Sequence, residues 1–398
     1  MGPGTDLLLS ALLQCIPGMK SLTSIAIISF CLILSLKTLA GDTLVFKGQA
    51  SGWINLNPDI AMPVWLGLHY IPTANYQVRY PDNRLADVEV SANLSGNSGF
   101  HPFDSINAGA SLKPYRLWAR YSARQFEFRI GLQKINFGSA STLRPLMWFD
   151  QLDPRDPLQL TNGVWAVLGR YYFLNNANIW IWGLYGNKDK KTWEVAPTTH
   201  RIPEAGGRIQ VPVLKGDAAF SCHFRSTDTR LLIDSLPGNS NTPEQRLGLD
   251  GKWGIGPGIW FEGAWIHHSL NTGMLTNQEI FTAGTDYTFT VGNGLNVVFE
   301  HMVYGYGRAA FDFERRLSFS GLTLSYPINI NNQLNAVLYR DWTNQAYYNF
   351  VNWQHQFQHV AMYFMAYWNP KDYRMPLQNS KNNLTAGKGL QIMIVFNH

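Results

Sequence analysis

From Thr43 onward the chain repeats stretches in which apolar and polar side chains take turns. Leu44, Phe46 and Ala50 alternate with Lys47, Gln49 and Ser51, and Ala86, Val88, Val90, Ala92 and Leu94 with Asp87, Glu89, Ser91 and Asn93. Between Arg124 and Gly138, Phe126, Phe128, Ile130 and Leu132 interleave with Glu127, Arg129 and Gln133. The same pattern returns at Ile209-Val211-Val213, Leu295-Val297-Phe299 and Leu390-Ile392-Ile394-Phe396. A period of two puts successive side chains on opposite faces of a strand, so each stretch predicts a strand with one apolar and one polar face.

The connections between these stretches fall into two classes that also alternate. Short ones rich in turn residues are Ser122-Ala123-Arg124, Asn175 to Asn178, Lys215-Gly216-Asp217, Gly254 to Gly258, Gly292-Asn293-Gly294 and Asn329 to Asn332. Longer ones lie near 95–110, 138–162, 187–206, 226–244, 267–278, 305–313 and 370–387. This is the rhythm of a meander with tight turns on one rim and longer loops on the other; it predicts about 18 strands, with 16 as the alternative. The phase breaks at Lys134 to Phe137 and between Phe319 and Leu322, where a bulge or a strand end is expected.

A soluble sandwich would share this periodicity, so other features must choose the solvent. A soluble assembly of so many strands divides into domains of about 100 to 150 residues, and no linker interrupts this chain. Aromatic residues make up 14% of it and gather near segment ends, at Trp165, Tyr171 to Phe173, Trp180, Trp182, Tyr304, Tyr306, Trp342, Tyr347, Tyr348, Tyr367 and Trp368. Rings at both strand ends suit the two interfacial girdles of a membrane barrel. The expected fold is therefore all-β: a transmembrane antiparallel barrel over residues 41–398, Phe126, Phe128, Ile130 and Leu132 facing lipid and the charges facing a wet lumen.

Residues 1–40 read as an upstream extension followed by a secretory signal. Met19-Lys20 precedes the apolar run Ile25 to Leu34, and Leu39-Ala40 precedes Gly41 at a cleavage-like site. An anchoring helix is the rival, but about fifteen apolar residues fall short of the roughly twenty needed for a span. Cys222 alone of the three cysteines lies beyond the signal, which excludes an intramolecular disulfide. The net charge of +5 comes from scattered basic residues, with no aromatic-interleaved basic run, so nucleic acid is not an expected partner.

The last strand, Gly389 to Phe396, resembles the C-terminal signal by which the assembly machinery recognises bacterial outer-membrane barrels, although Asn397 and His398 follow the Phe. The exported portion resembles a Gram-negative porin or outer-membrane channel, near the eighteen-strand alginate-export type of barrel. Gly131 to Gly138 and the Asp153-Pro154-Arg155-Asp156-Pro157 run are the stretches most particular to that resemblance. It implies the bacterial outer membrane, contact with membrane lipid and lipopolysaccharide, and passive passage of a small polar or charged solute, with the oligomeric state left open.

The alternation points Asp87, Glu89, Arg116, Arg120, Glu127, Arg129, Arg208, Asp250 and Glu262 inward as candidate pore-lining residues. Neighbouring strands put acids beside bases, which either stiffens the wall or sets a field across the lumen. Neither sign dominates. The connection from Ser139 to Asn162 carries Leu146-Met147-Trp148-Phe149 among Arg144, Asp150, Asp153, Arg155 and Asp156. Four large apolar residues in a row predict packing inside the barrel as a constriction loop, its acids opposite wall arginines Arg116, Arg120 and Arg129; an outer-rim contact with lipopolysaccharide or a partner is the alternative.

Catalytic signals are weak. His267-His268-Ser269 has the His-x-Ser spacing of one outer-membrane lipid A deacylase family, and Ser221 with His223 shares one face, yet no orienting acid or oxyanion hole is marked. The chain is not expected to be an enzyme; a lipid-modifying hydrolase and a structural or adhesive barrel with a blocked lumen are the competing functions. No Walker loop, paired CxxC or HExxH appears, so no cofactor or metal is expected.

Overall fold

The computed structural model describes residues 43–101, 106–230, 232, 239–372 and 384–398. The signal reading of residues 1–40 lies outside the described residues. The strands are β1 Thr43–Leu56, β2 Val64–Tyr80, β3 Arg84–Phe100, β4 Ile106–Ser122, β5 Phe126–Gln133, β6 Val164–Tyr172, β7 Asn178–Leu184, β8 Glu204–Val213 and β9 Gly216–Thr227. They continue as β10 Thr242–Gly254, β11 Gly258–His268, β12 Asn277–Phe289, β13 Leu295–Gly307, β14 Arg315–Asn329, β15 Asn332–Asp341, β16 Ala346–Gln356, β17 Val360–Trp368 and β18 Lys388–Asn397.

Each strand pairs with its neighbours in sequence, and β1 pairs with β18 in a ladder from Gln49↔Asn397 to Leu56↔Leu390. The 18-stranded sheet is thereby closed on itself. Closure removes sheet edges, which is the condition for strands to cross hydrocarbon. Among the described residues no helix is long and apolar enough to cross a membrane.

The two faces separate as the alternation predicts. Ile130 is 49% exposed on the outside, while Asp87 is 3% and Arg208 5% exposed within. The outward apolar surface continues around the wall through Leu68, Leu112, Ile181, Phe220, Leu249, Phe281, Phe299 and Ile392. The short turns marked in the sequence fall on one rim; the four-residue turn 342–345 between β15 and β16 lies on the other, among the longer connections. The β2–β3 turn uses Asp82 and Asn83 at φ 63° and 58°, a left-handed pair whose twist matches that of the flanking strands.

Two local expectations change and one holds. The long connection near 95–110 is mostly strand, because β3 runs to Phe100 and β4 begins at Ile106. Lys134 to Phe137 marks the end of β5, where Ile135 and Phe137 leave the wall for buried positions inside. Nothing breaks at Phe319 to Leu322; the register shifts sit at Ser91/Ala92 and at Pro327/Asn329. Both adjoin a proline: Ala92 pairs with Pro114, skipping Tyr115, and a residue without an N–H cannot continue a regular ladder.

The girdle also divides. Trp165, Tyr171, Tyr347 and Trp368 are exposed outside and Tyr172, Phe173 and Trp342 are exposed at or beyond strand ends, whereas Trp182, Tyr348 and Tyr367 are buried within. Trp180 and Tyr304 pack against the interior clusters, and Tyr306 lies against Tyr304. Adjacent aromatics such as Tyr347 and Tyr348 cannot share a face in a period-two strand.

Two apolar clusters occupy the interior. One joins Ile266, Ile280, Met302, Phe319, Tyr339, Phe350 and Met365 from β11 to β17 with Leu143 and Met147. The other joins Val164, Leu168, Trp182 and Leu184 of β6 and β7 with Ile135, Phe137, Leu146, Trp148 and Phe149.

Candidate functional site in the barrel interior

In the wall from β3 to β6, register alone brings opposite charges together. Asp87 faces Arg120 across the β3–β4 ladder, and the guanidinium grips the carboxylate at 2.8 Å through both Nε and Nη2. Such fork-to-carboxylate pairs are directional as well as strong. Arg120 also reaches Glu127 at 3.6 Å, and Glu127 takes Arg129 at 3.3 Å and Arg170 at 3.2 Å. Trp118 underlies the group, with the Arg129 guanidinium 4.8 Å and that of Arg120 5.5 Å from its ring centre. Glu89, opposite Trp118, makes no hydrogen bond or ion pair among the described residues. Asp87, Glu89, Trp118, Arg120 and Arg129, with Lys47, Thr73, Asn75 and Gln77, line a cavity of about 340 Å³.

A second polar sector lies on β8 to β10. Arg208 holds Asp250 at 2.5 and 2.9 Å and donates to the Ser221 hydroxyl at 3.0 Å. Arg208 and Asp250, with Asp217, Lys252, Gln210 and Trp180, line a cavity of about 320 Å³.

Between the two sectors lies the long β5–β6 connection, residues 134–163. It runs inside the barrel, held by carboxylates of the far wall. Glu300 of β13 accepts the backbone N–H groups of Ser141, Thr142 and Leu143 at 2.7, 2.8 and 2.6 Å. Glu262 of β11 accepts those of Ala140 and Leu146 at 2.8 and 2.5 Å, and Asp250 accepts the Ser139 hydroxyl at 2.9 Å. The chain passes Glu262 at Gly138, φ 109°, where a Cβ would stand 2.5 Å from the carboxylate, so this position requires glycine.

Trp148 and Phe149 dock as the apolar run predicts, packing on Phe137, Trp182 and His223. The placement of the loop acids corrects the expectation that they oppose wall arginines. Asp150 pairs with Arg144 at 3.3 Å, Asp153 with Arg155 at 2.7 Å, and Asp156 accepts the backbone N–H groups of Leu158 and Leu160 at 3.0 and 3.1 Å. Arg120 and Arg129 bind wall acids, and Arg116 donates to the carbonyls of Tyr115 and Thr161 at 2.6 and 3.0 Å. The loop carries its own donors close in sequence, and a carboxylate entering a dry interior is stabilised by the nearest ones. Burial pushes the Asp150 carboxyl up, with Arg144 acting against it, and burial likewise raises Asp156.

Sequence reasoning missed a second inward connection, residues 185–203 between β7 and β8. Trp193 is buried and donates to the Arg144 carbonyl at 2.7 Å, and Gln151 donates to the Lys190 carbonyl at 2.7 Å. Glu194 bridges Arg225 at 2.7 Å and Arg246 at 2.8 Å, which also share Glu244 at 2.6 and 2.7 Å. A Trp-Glu pair in a long loop resembles the apolar-and-acid mixture of the first loop, and that was the available signal.

Of the predicted lining residues, Asp87, Glu89, Arg120 and Arg129 meet around the first cavity and Arg208 and Asp250 around the second. Glu127 joins the first group through its arginines, while Arg116 and Glu262 are covered by loop residues. Among the candidate catalytic residues, Ser221 accepts from Arg208, and His223 contacts the Glu204 carboxylate at 3.1 Å and the Trp182 indole at 3.2 Å. His268 contacts the Leu275 carbonyl at 3.0 Å, and His267 stacks on Trp265.

A closed 18-stranded barrel with an apolar exterior and long loops folded inward defines the architectural class of the bacterial outer-membrane porins. Among solved structures, the chain is similar to Acinetobacter baumannii OccAB4, with a TM-score of 0.54 at 9% identity over 90% of this chain and 98% of that one. It is similar also to Pseudomonas aeruginosa OccK7, with a TM-score of 0.52 at 8% identity over 90% and 99%, and to Acinetobacter baumannii OccAB2, at 0.52 and 9% over 89% and 98%. At such identities the likeness is one of fold. No protein-family model and no curated protein matches the chain.

Proposed function

We propose that this chain is a porin-like channel of the bacterial outer membrane, admitting small polar or charged solutes by passive diffusion past the inward loop. The observation that carries this reading is the pair of charged cavities, one lined by Asp87, Glu89, Arg120 and Arg129, the other by Arg208, Asp217, Asp250 and Lys252. Polar groups that only stiffen a wall are saturated by one another; here several face free volume. The loop 134–163 narrows the lumen, and charges of both signs beside it screen solutes by charge distribution more than by net sign. The solved structures of similar fold are outer-membrane channels, and that supports the location and the passive role. Membrane lipid surrounds the barrel; lipopolysaccharide meets its outer rim, and the assembly machinery recognises the C-terminal strand.

Single-channel recording of the purified protein in a planar bilayer tests the reading. Discrete ion-conducting steps are expected, and deletion of Met147 to Asp156 should enlarge them and weaken solute discrimination. A correctly folded protein that never conducts would instead be a sealed, structural barrel.

A further inference from the structure

The charges around the first cavity are of two kinds. Asp87 and Arg120 saturate each other in a bidentate pair. Glu89 makes no hydrogen bond or ion pair among the described residues, and Arg129 has one contact of 3.3 Å to Glu127 while its Nε has no partner. A half-buried carboxylate left without a protein partner, beside a guanidinium held by a single long contact, is a group held for water or for a ligand.

Their arrangement restricts the ligand. Glu89 on β3 lies opposite Trp118 on β4, whose other neighbour is Gly131 on β5, and Arg129 is two residues from that glycine on the same face. Two strand spacings, about 10 Å, and an offset of two residues along the strand, about 7 Å, put the Glu89 and Arg129 backbones about 12 Å apart, and both side chains line the cavity beside one indole. The gap between an extended carboxylate and an extended guanidinium then suits a molecule carrying both charges a few atoms apart. The Arg129 guanidinium lies 4.8 Å from the centre of the Trp118 ring, and the indole supplies an apolar floor that strengthens charge contacts beside it.

We propose that this cavity is a subsite for zwitterionic solutes of amino-acid size, Glu89 taking the ammonium and Arg129 the carboxylate over the face of Trp118. The subsite rests on the channel reading and names the solute class that the channel favours. The volume of about 340 Å³ is within the range of small-molecule sites. An arginine fork matches a carboxylate in geometry as well as in charge. A plain anion would meet the Glu89 carboxylate, and a plain cation would meet Arg129, Arg120 and Lys47, so each singly charged solute faces repulsion that the zwitterion converts to attraction.

The test is calorimetric titration of the full-length protein in detergent with β-alanine, propionate and propylamine, which share a carbon skeleton. β-Alanine should bind about tenfold more tightly than either single-charge analogue, the order expected when one partly desolvated charge contact is lost. Glu89→Gln should bring β-alanine down to the level of propionate, and Arg129→Gln down to that of propylamine; Glu89→Asp, which shortens the reach, replaces Glu89→Gln should the latter not fold. Equal affinity for the three probes, or unchanged β-alanine affinity in folded variants, would overturn the subsite. Because binding is read without conduction, a protein that binds β-alanine and conducts no ions would sink the channel reading and leave the subsite standing.

Discussion

The Glu300 carboxylate on β13 accepts the backbone N–H of Leu143 at 2.6 Å, tying the inward loop to the wall on the far side of the lumen. The same carboxylate takes the N–H groups of Ser141 and Thr142, so one side chain orders three consecutive loop residues. Hydrogen bonds to a charged group contribute about 1.5 to 3 kcal/mol each, and those in this cluster are coupled. Glu300→Gln replaces one acceptor oxygen by an NH₂ that faces N–H donors. The expected outcome is a loosened loop within an intact barrel, seen as noisier single-channel currents and new protease cuts between 139 and 147. A cleavage pattern identical to the parent's would show that the carboxylate does not hold the loop.

The second loop should respond to acid. Burial by itself raises the Glu194 carboxyl, but Arg225 and Arg246 outweigh it and hold the group below its ordinary value of 4.5. A depressed folded pKa means stability that is present above the unfolded value and lost as pH falls through the folded one. The loop 185–203 should therefore stay latched at neutral pH and loosen only in acid, as the pH falls below the ordinary carboxyl value of 4.5. Hydrogen exchange of its amides as a function of pH measures this, and Glu194→Gln should show fast exchange already at pH 7. Slow, pH-independent exchange in both proteins would remove Glu194 as the latch.

Neighbouring residues on β5 should respond oppositely to substitution. Ile130 is 49% exposed on the outer face, so Ile130→Arg should cost about 2 to 4 kcal/mol near the midplane and lower the yield of folded barrel. Arg129→Gln changes a side chain that points inward and should fold with near-parent yield. Similar yields for the two variants in lipid vesicles would contradict the assignment of faces.

Orientation can be read by labelling. The turn at Gly292-Asn293-Gly294 belongs to the short-turn rim and Lys190 to the rim of longer connections. A cysteine-reactive, membrane-impermeant reagent on intact cells should reach Lys190→Cys and miss Asn293→Cys in the barrel, with Cys222 changed to serine in both. The reverse pattern would invert the topology.

Alternation within single stretches was enough to establish the strands, their faces and the rhythm of the rims. Glu127 points in and Ile130 out because the period of two is local to the backbone and needs no distant partner. The apolar run Leu146 to Phe149 likewise announced burial, since its chemistry is incompatible with a solvated loop. Which partner each charge takes was not legible. Asp150 and Asp153 bind Arg144 and Arg155 within their own loop, while Glu262, which read as plain lining, anchors that loop's backbone together with Glu300. The Glu300–Leu143 contact joins residues far apart in sequence, and backbone N–H groups leave no trace in a residue pattern. Closure of β1 on β18 brought those walls within reach of one another, and desolvation inside the closed barrel then decided which donors each carboxylate would hold.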